Sequence, residues 1–368
     1  MIDRRHCLMQ WGWHLGALGA LGASGRVGAG EPTRHLPRVR PGQPLHFPRD
    51  FGAHPEFRTE WWYITGQLGR DLGFQITFFR SRVDTAQDNP SRLAARQLIL
   101  AHAALTDVRA GQLLHEQRIA REGLGLAGAA LGDTHVHLRS WSLQRSGTAA
   151  QSLYQARVDA QDFRLSLALR TTQPLLLQGD AGYSRKGPLP TQSSHYYTQP
   201  HLAVNGQLTL GGQTRTVTGR AWMDHEWSES LLAPDAVGWD WIGMNLHDGT
   251  ALTAFRLRRA DGSIRWAGGS WRPPGQAARH FGPDELRFTP GRRWRSPTTQ
   301  ATYPVEWQID TPVGRFAVRA RLDAQELAGQ PSTGTVYWEG LCELIDAQQR
   351  VIGSGYLEMT GYADKLTL

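Results

Sequence analysis

Two stretches of the chain share the pattern W-x-x-I-x-x-x-L, and this internal repeat restricts the possible folds more than any other feature. The first is WWYITGQL (61–68) and the second is WDWIGMNL (239–246). Each precedes a glycine-containing turn and an apolar segment that ends in arginine, GFQITFFR in the first half and TALTAFRLRR in the second. Repetition on this scale indicates two copies of one structural unit.

The segments between these landmarks alternate between apolar and polar residues with the period of a β-strand. Examples are FRLSLALR, YPVEWQID and GRFAVRARL, and turn sequences such as VNG, HDG and ADG separate the segments. Helical periodicity is weak, and its best candidate lies at 91–100. Many short, evenly spaced strands predict an all-β chain built as antiparallel barrels or sandwiches.

The repeat divides the mature chain into two units, 45–230 and 231–368. The boundary falls at LLAPDAVG, a small connector that contains proline and glycine. Residues 31–44 are predicted to be an N-terminal linker.

Residues 1–30 have the features of a cleaved export signal. Arg4-Arg5 followed by Cys7-Leu8 resembles a twin-arginine signal, an apolar stretch follows, and small residues at 28–30 provide a cleavage site. The mature protein is therefore expected in the periplasm or the medium. Cys342 is then its only cysteine, so no intramolecular disulfide and no cysteine-ligated metal are expected.

Composition excludes some classes of function and favours others. The formal net charge is +7, but no dense basic run of the kind that tracks phosphates is present, which argues against nucleic-acid binding. Fourteen tryptophans against eleven phenylalanines suit a pocket for a flat or long apolar ligand, and they equally suit plugs at the ends of barrels.

Several stretches together resemble one family. EWWYITGQL, LALRTTQPLLLQGDAGYSRKG, SSHYYTQPHLAVNGQL and GRAWMDHEWSES are similar to the bacterial carotenoid 1,2-hydratase and AttH-type proteins, and to fungal kievitone hydratases and lipocalin-like pericyclases. The resemblance extends over about 45–362. It implies two lipocalin-like antiparallel β-barrel domains packed together, in agreement with the internal duplication.

The resemblance also implies candidate catalytic residues. The hydratases carry a His-x-aromatic pair and, further along, an aromatic-x-Asp pair; here these positions are His195 with Tyr197 and Trp222 with Asp224. A carboxyl group in an apolar pocket stays protonated and can protonate an alkene. The aromatic rings would then stabilise the cation by about 0.5–2 kcal/mol each, and His195 would hold or deprotonate the attacking water.

Strand alternation adds candidates for ligand binding. Trp222, Asp224 and Glu226 share one face of a strand, while His225 lies on the other face. If the first face points into a barrel, it offers a carboxylic acid beside aromatic walls. In EFRTEWWYITG, Glu60 and Trp62 point one way and Trp61 and Tyr63 the other. Because such a strand is apolar on both sides, it is expected between two packed layers.

If any residues of EFRTEWWYITG meet a ligand, Glu60 and Trp62 are the expected ones, since the second repeat has Gly238 and Asp240 at those places. Trp61 recurs as Trp239 and is expected to be part of the barrel architecture.

Metal and cofactor sites are not expected from sequence spacing. His135 and His137 share a strand face without an evident third ligand, so a solvated face is favoured. The run Asp224-His225-Glu226 lacks metal-site geometry because His225 points away from its neighbours.

The expected function is binding of a long hydrophobic molecule, isoprenoid- or lipid-like, with cofactor-free acid-catalysed hydration or a related step. If it is an enzyme, it is a hydro-lyase or an isomerase. A non-catalytic carrier that works with an envelope transporter is one alternative, and a structural or assembly module is another. The sequence determines neither the substrate nor the oligomeric state.

Overall fold

The computed structural model describes residues 37–230, 232–329 and 332–365. In these ranges the regular structure is β-strand apart from three short 3₁₀ helices, Arg49–Phe51, Asp84–Ala86 and Pro283–Glu285. No helix in the described ranges is long and apolar enough to cross a membrane. The predicted export signal lies outside the described residues.

The described strands form two large antiparallel sheets and one small one. The first sheet contains β1 (Thr59–Leu68), β2 (Leu72–Arg82), β3 (Gln97–Asp107), β4 (Gln112–Arg121), β5 (Ala127–Ala129), β6 (His135–Leu138), β7 (Trp141–Gly147), β8 (Ser152–Asp159), β9 (Phe163–Arg170), β10 (Leu176–Leu177), β11 (Tyr183–Arg185), β12 (Ser193–Leu210) and β13 (Gln213–Ser228).

The second sheet contains β14 (Gly238–Leu246), β15 (Ala251–Arg258), β16 (Ile264–Arg272), β17 (Arg279–Phe281), β18 (Arg287–Pro290), β21 (Glu306–Thr311), β22 (Gly314–Ala320), β23 (Glu326–Ala328), β24 (Val336–Ile345) and β25 (Val351–Thr360). The strands β19 (Arg293–Arg295) and β20 (Thr302–Pro304) form a separate pair.

Both large sheets curl in the same way. In the first, the order is β4-β3-β2-β1-β13-β12-β9-β8-β7-β6-β5, so the first strand pairs with the last long one. In the second, β14 likewise pairs with β25, and β15 and β16 follow on its other side. The prediction of an all-β fold with two barrel-like domains is confirmed, and both copies of the sequence repeat open their barrel at the same place.

Each barrel is filled by its own side chains. In the first, the inward residues of alternating strands pack together, as in β8, where Tyr154, Ala156 and Val158 are buried and the residues between them are exposed. In the second barrel, Trp307 and Trp338 are buried in the equivalent core. Buried tryptophans therefore contribute to the cores of both barrels.

The first hairpin of each barrel contains a buried ion pair. Glu60 Oε2 lies 2.7 Å from Arg80 Nε across β1 and β2, and both side chains are inaccessible. In the second barrel, Asp240 Oδ2 lies 2.7 Å from Arg256 Nε across β14 and β15. An arginine on the second strand of each repeat thus neutralises an acid on the first strand, since a buried charge is stable only when it is paired.

The segment 91–100, the best helical candidate in the sequence, does not form a helix. Residues 91–96 form turns, and β3 begins at Gln97 and is paired on both sides, with β2 and β4. The alanines, arginines and leucines of this stretch favour a helix locally, but the sheet pairing overrides that weak preference.

A glycine in β13 allows a close approach of strands, which gives a test of the barrel. A Cβ added to Gly219 would lie 1.9 Å from the carbonyl oxygen of Gln67 on the neighbouring strand β1. We expect Gly219→Ala to lower the free energy of unfolding by about 1–3 kcal/mol in urea denaturation, because the backbone must shift. The control Gly132→Ala, where a Cβ meets nothing within 4 Å, should change it by less than about 0.5 kcal/mol. Equal effects of the two substitutions would contradict this account.

Candidate functional site

A cleft lies between the two barrels and has a volume of about 100 Å³. Its first wall consists of residues from β1, β2, β12 and β13, and its second wall of residues from β14, β15, β24 and β25. The partly exposed residues Trp61, Lys186, Leu232 and Trp239 lie among its lining. This volume is below the roughly 300 Å³ usual for a whole small-molecule ligand. The cleft therefore suits one end of a larger molecule.

The pairing of β1 with β13 determines which side chains face the cleft. Trp61 lies opposite Glu226, and Tyr63 lies opposite Asp224. All four line the cleft. Trp222, Asp224 and Glu226 do not point into a barrel, because the alternate residue Met223 fills the barrel core. The acidic face of β13 turns towards the second barrel instead.

Asp224 is buried at the cleft and is held by three donors. Its Oδ1 accepts hydrogen bonds from Thr198 Oγ1 (2.5 Å) and Trp222 Nε1 (2.9 Å), and its Oδ2 accepts one from the Tyr196 hydroxyl (2.8 Å). Burial raises the pKa of Asp224 to about 7, although these hydrogen bonds act in the opposite direction. The carboxyl group is therefore fixed in position and close to its titration point at neutral pH.

Two further carboxyl groups face the cleft from the second barrel. Glu339 on β24 and Glu358 on β25 lie directly opposite each other. Burial raises the pKa of Glu358 to about 7, and burial together with the neighbouring Glu358 holds the pKa of Glu339 well above its ordinary value. Glu339 Oε1 and the Tyr63 hydroxyl have no direct hydrogen-bond partner among the described residues.

Sequence reasoning missed Glu339, Glu358 and Tyr196. A signal for the two glutamates was present, since each interrupts an otherwise apolar strand, in VYWEGLCEL and GSGYLEMTGY. A charged residue at a buried strand position marks either an ion pair or a site.

The cleft carries more acid than base. Lys186 Nζ lies 2.8 Å from Glu226 Oε1, which also accepts a hydrogen bond from Ser194. Among the residues that line the cleft, Asp224, Glu226, Glu339 and Glu358 are the carboxyl groups and Lys186 is the one basic side chain. Aromatic rings, including Trp241, surround these groups. Such a site favours positive charge in whatever it binds.

The structure does not bring His195 and Tyr197 to this cleft. They lie opposite Trp227 and His225 on the other face of β12, whereas Tyr196 and Thr198 lie opposite Glu226 and Asp224. His195 is buried, and burial lowers its pKa to about 4.

A β-bulge explains this placement. The register between β12 and β13 shifts between Gln199 and Leu202, where Pro200 interrupts the strand and His201 has a φ of 54°. Near the turn that joins β12 to β13, Leu202 lies opposite Ala221. If that register continued along both strands, Asp224 would lie opposite Gln199 and would share its face with Tyr197 and His195. The shift of one residue reverses the faces. Pro200 was the available signal, because proline inside a sheet is found at bulges and edges.

Glu60 and Trp62 also point away from the cleft. Glu60 Oε1 lies 2.7 Å from His54 Nδ1 and 2.9 Å from His225 Nε2, and the Trp62 ring stacks on His225 with centroids 4.7 Å apart. The prediction that the two faces of this strand diverge is confirmed. It is the face of Trp61 and Tyr63 that lines the cleft.

The pair of His135, which is exposed, and His137, which is half-buried, lies on β6, with ring centroids 5.8 Å apart. The one group of three or more potential metal ligands in the described part of the chain does not include either residue.

Comparisons with known proteins place the chain among AttH-like proteins, whose family model matches residues 38–362. A crystal structure assigned to AttH from Nitrosomonas europaea is 46% identical, with a TM-score of 0.82 over 89% of this chain and 100% of that one. No curated protein matches the sequence.

Two more distant structures share the fold. Kievitone hydratase from Nectria haematococca is 15% identical, with a TM-score of 0.66 over 90% of this chain and 95% of that one. CghA, in complex with Sch210972, is 14% identical, with a TM-score of 0.52 over 84% of this chain and 90% of that one.

The raised pKa of Glu358 predicts a dependence of stability on pH. The folded state holds this proton more tightly than the unfolded chain, so the contribution is complete below about pH 4.5 and is lost as the pH rises through about 7. The free energy of unfolding of the wild type should fall by about 2–3 kcal/mol from this group across that window. Urea denaturation of Glu358→Gln should show a correspondingly smaller decline.

Glu343→Gln is the matched control, because this partly exposed carboxylate lies on β24, the strand that carries Glu339. It should keep the wild-type decline. An unchanged decline in Glu358→Gln would show that Glu358 is not protonated at neutral pH.

Proposed function

Since this chain belongs to the AttH-like family, we propose that it binds one end of an elongated apolar molecule between its barrels and adds or removes water there by acid catalysis. The observation that carries the proposal is the convergence of Asp224, Glu339 and Glu358, all with raised pKa values, on an aromatic cleft. The distant likeness to a hydratase supports the fold alone.

The reaction begins with a protonated carboxyl group beside a trisubstituted alkene. Asp224 Oδ2 accepts one hydrogen bond, from Tyr196, so its other lone pair can carry a proton. Transfer of this proton to one alkene carbon leaves a tertiary cation on the other. The rings of Tyr63 and Trp241 stabilise such a cation by about 0.5–2 kcal/mol each.

Water completes the hydration. Its oxygen bonds to the cation, and its surplus proton goes to a carboxylate of the Glu339–Glu358 pair, which lies in the same cleft. Return of that proton from the pair to Asp224 restores the acid, so the sum is one water added across one double bond, and the reverse sequence is dehydration. This pair takes the role that the sequence assigned to His195, which lies on the other face of β12.

The surroundings of the cleft suit a long substrate. The enclosed volume of about 100 Å³ accepts the reacting end, and Trp61, Leu232 and Trp239 offer partly exposed apolar surface for the remainder. The export signal predicted at 1–30 would place this activity in the periplasm or the medium, where the substrate would be an envelope lipid or an exported isoprenoid.

Removal of the proton donor tests the enzyme. Geranylgeraniol incubated with the protein in D₂O should gain deuterium and oxygen at a trisubstituted double bond. Mass spectrometry measures this gain. We expect Asp224→Asn to reduce this conversion by about 10²-fold or more, since it removes a general acid. The variant should still fold, as judged by near-UV circular dichroism.

The control is Asp162→Asn, an exposed turn carboxylate, which should retain wild-type conversion. Full activity in Asp224→Asn would show that the acid is a different residue. A co-purifying lipid in organic extracts, without conversion of any alkene, would instead favour the carrier.

The excess of acid predicts a preference for cationic ligands. Dodecyltrimethylammonium, below its micellar concentration, should bind about tenfold more tightly than dodecanol at pH 8, measured by tryptophan fluorescence. The preference should shrink at pH 5.5, because Asp224 and Glu358, with pKa values of about 7, are then neutral. Equal affinities at both pH values would contradict this description of the cleft.

A further inference from the structure

A second cluster of titratable groups lies on the opposite face of β1 and β13 from the cleft. It consists of His54, Glu60 and His225, all buried, and is named here the His–Glu–His cluster. We propose that this cluster is a binding site for a divalent transition-metal ion, with His54 Nδ1, Glu60 Oε1 and His225 Nε2 as ligands. The site is separate from the proposed function, which uses the other face of the same strands.

Two of the three spacings between the ligand atoms match adjacent positions around one ion. Glu60 Oε1 is 2.7 Å from His54 Nδ1 and 2.9 Å from His225 Nε2, and all three atoms lie within 4.8 Å of one another. Ligands at bond lengths of about 2.1 Å and right angles are about 3.0 Å apart. An ion bound at Glu60 would therefore draw the two imidazole nitrogens towards each other to complete a two-histidine, one-carboxylate facial set.

Each ligand is oriented by a second partner, as in metalloprotein sites. His54 Nε2 lies 3.1 Å from Asp50 Oδ1, His225 Nδ1 lies 2.9 Å from the Tyr197 hydroxyl, and Glu60 Oε2 lies 2.7 Å from Arg80 Nε. Such contacts hold the rings in the orientation that ligation requires and leave one atom of each group for the ion.

The shell around the cluster is aromatic, with one polar route outward. Trp227 stacks on His54 with ring centroids 3.8 Å apart, and Trp62 covers His225 from the other side. Asp50, next to His54, keeps 14% of its side chain exposed and marks the route by which an ion would enter. His195 also packs against Trp227, and its buried Nδ1 has no partner among the described residues.

The protons balance when an ion enters. Both ring nitrogens of His54 contact carboxylate oxygens, of Glu60 and Asp50, and because these oxygens can only accept hydrogen bonds the imidazole carries both protons. His54 then loses its Nδ1 proton on binding. His225 moves its proton from Nε2 to Nδ1, where the Tyr197 oxygen accepts it. One proton is released for each ion, and Arg80 keeps its charge.

The donor set favours a transition metal over calcium or magnesium. Two imidazole nitrogens and one carboxylate suit Fe²⁺, Co²⁺, Ni²⁺ or Zn²⁺, whereas Ca²⁺ and Mg²⁺ prefer oxygen ligands. The alternative is that the cluster is a closed ionic network, with Arg80 and His54 as the only counter-charges of Glu60.

Titration of the full chain with Co²⁺ tests the site, because bound Co²⁺ absorbs visible light. We expect one Co²⁺ per chain by equilibrium dialysis, the release of one proton by indicator dye, and displacement by Zn²⁺. His225→Gln should weaken Co²⁺ binding at least 100-fold, while its amide still donates to Glu60 and preserves the fold.

His54→Gln should weaken binding to a similar extent, and its retained near-UV circular dichroism would show that loss of the ion is not loss of the fold. His137→Gln, in the pair on β6, should bind Co²⁺ as the wild type does. Absence of Co²⁺ binding, or loss of binding only in His137→Gln, would overturn the proposal and identify a purely ionic network. Neither result depends on the activity at the cleft.

Discussion

The structure depends on one strand pair, β1 with β13, which is buried on both sides. Along an extended strand successive side chains point to opposite faces, and residues directly opposite each other in an antiparallel pair share a face. Trp62, Ile64 and Met223 therefore fill the first barrel, while Tyr63 and Asp224 face the second. Because the side chains on one face of this strand pair must fill the barrel core, the alternate side chains on the other face must line the cleft.

The same constraint explains why polar chemistry lies between the barrels. Each barrel interior is filled by apolar and aromatic side chains, so a carboxyl group there would need a charged partner, as Glu60 has in Arg80. At the junction, Asp224 and Glu339 are buried and Glu358 is half-buried, without a full set of cationic partners, and removal from water raises their pKa values. Keeping such groups costs stability, which is the usual situation at a functional site.

Much of the fold was predictable. The repeat beginning at Trp61 and Trp239 predicted two similar β-rich units, the family resemblance implied that both are barrels, and each does open with its own hairpin at that place. Alternation also predicted the divergent faces of Glu60 and Trp61. The pairing partners were not predictable, because Glu339 and Glu358 are distant from Asp224 in the chain and meet it only where the barrels pack. The weak helical candidate at 91–100 is not a helix for a related reason, since pairing with the neighbouring strands β2 and β4 outweighs its local preference.

The sequence by itself determined the strand period, the duplication and which residues of one strand share a face, since all three depend on local covalent geometry. Only the tertiary structure decided which strands meet and in what register. The bulge at Pro200 and His201 is the clearest case, because a shift of one residue moves His195 and Tyr197 away from Asp224 and places Tyr196 beside it. The register depends on contacts between segments that are distant in the chain, and the residue pattern within one segment does not specify those contacts.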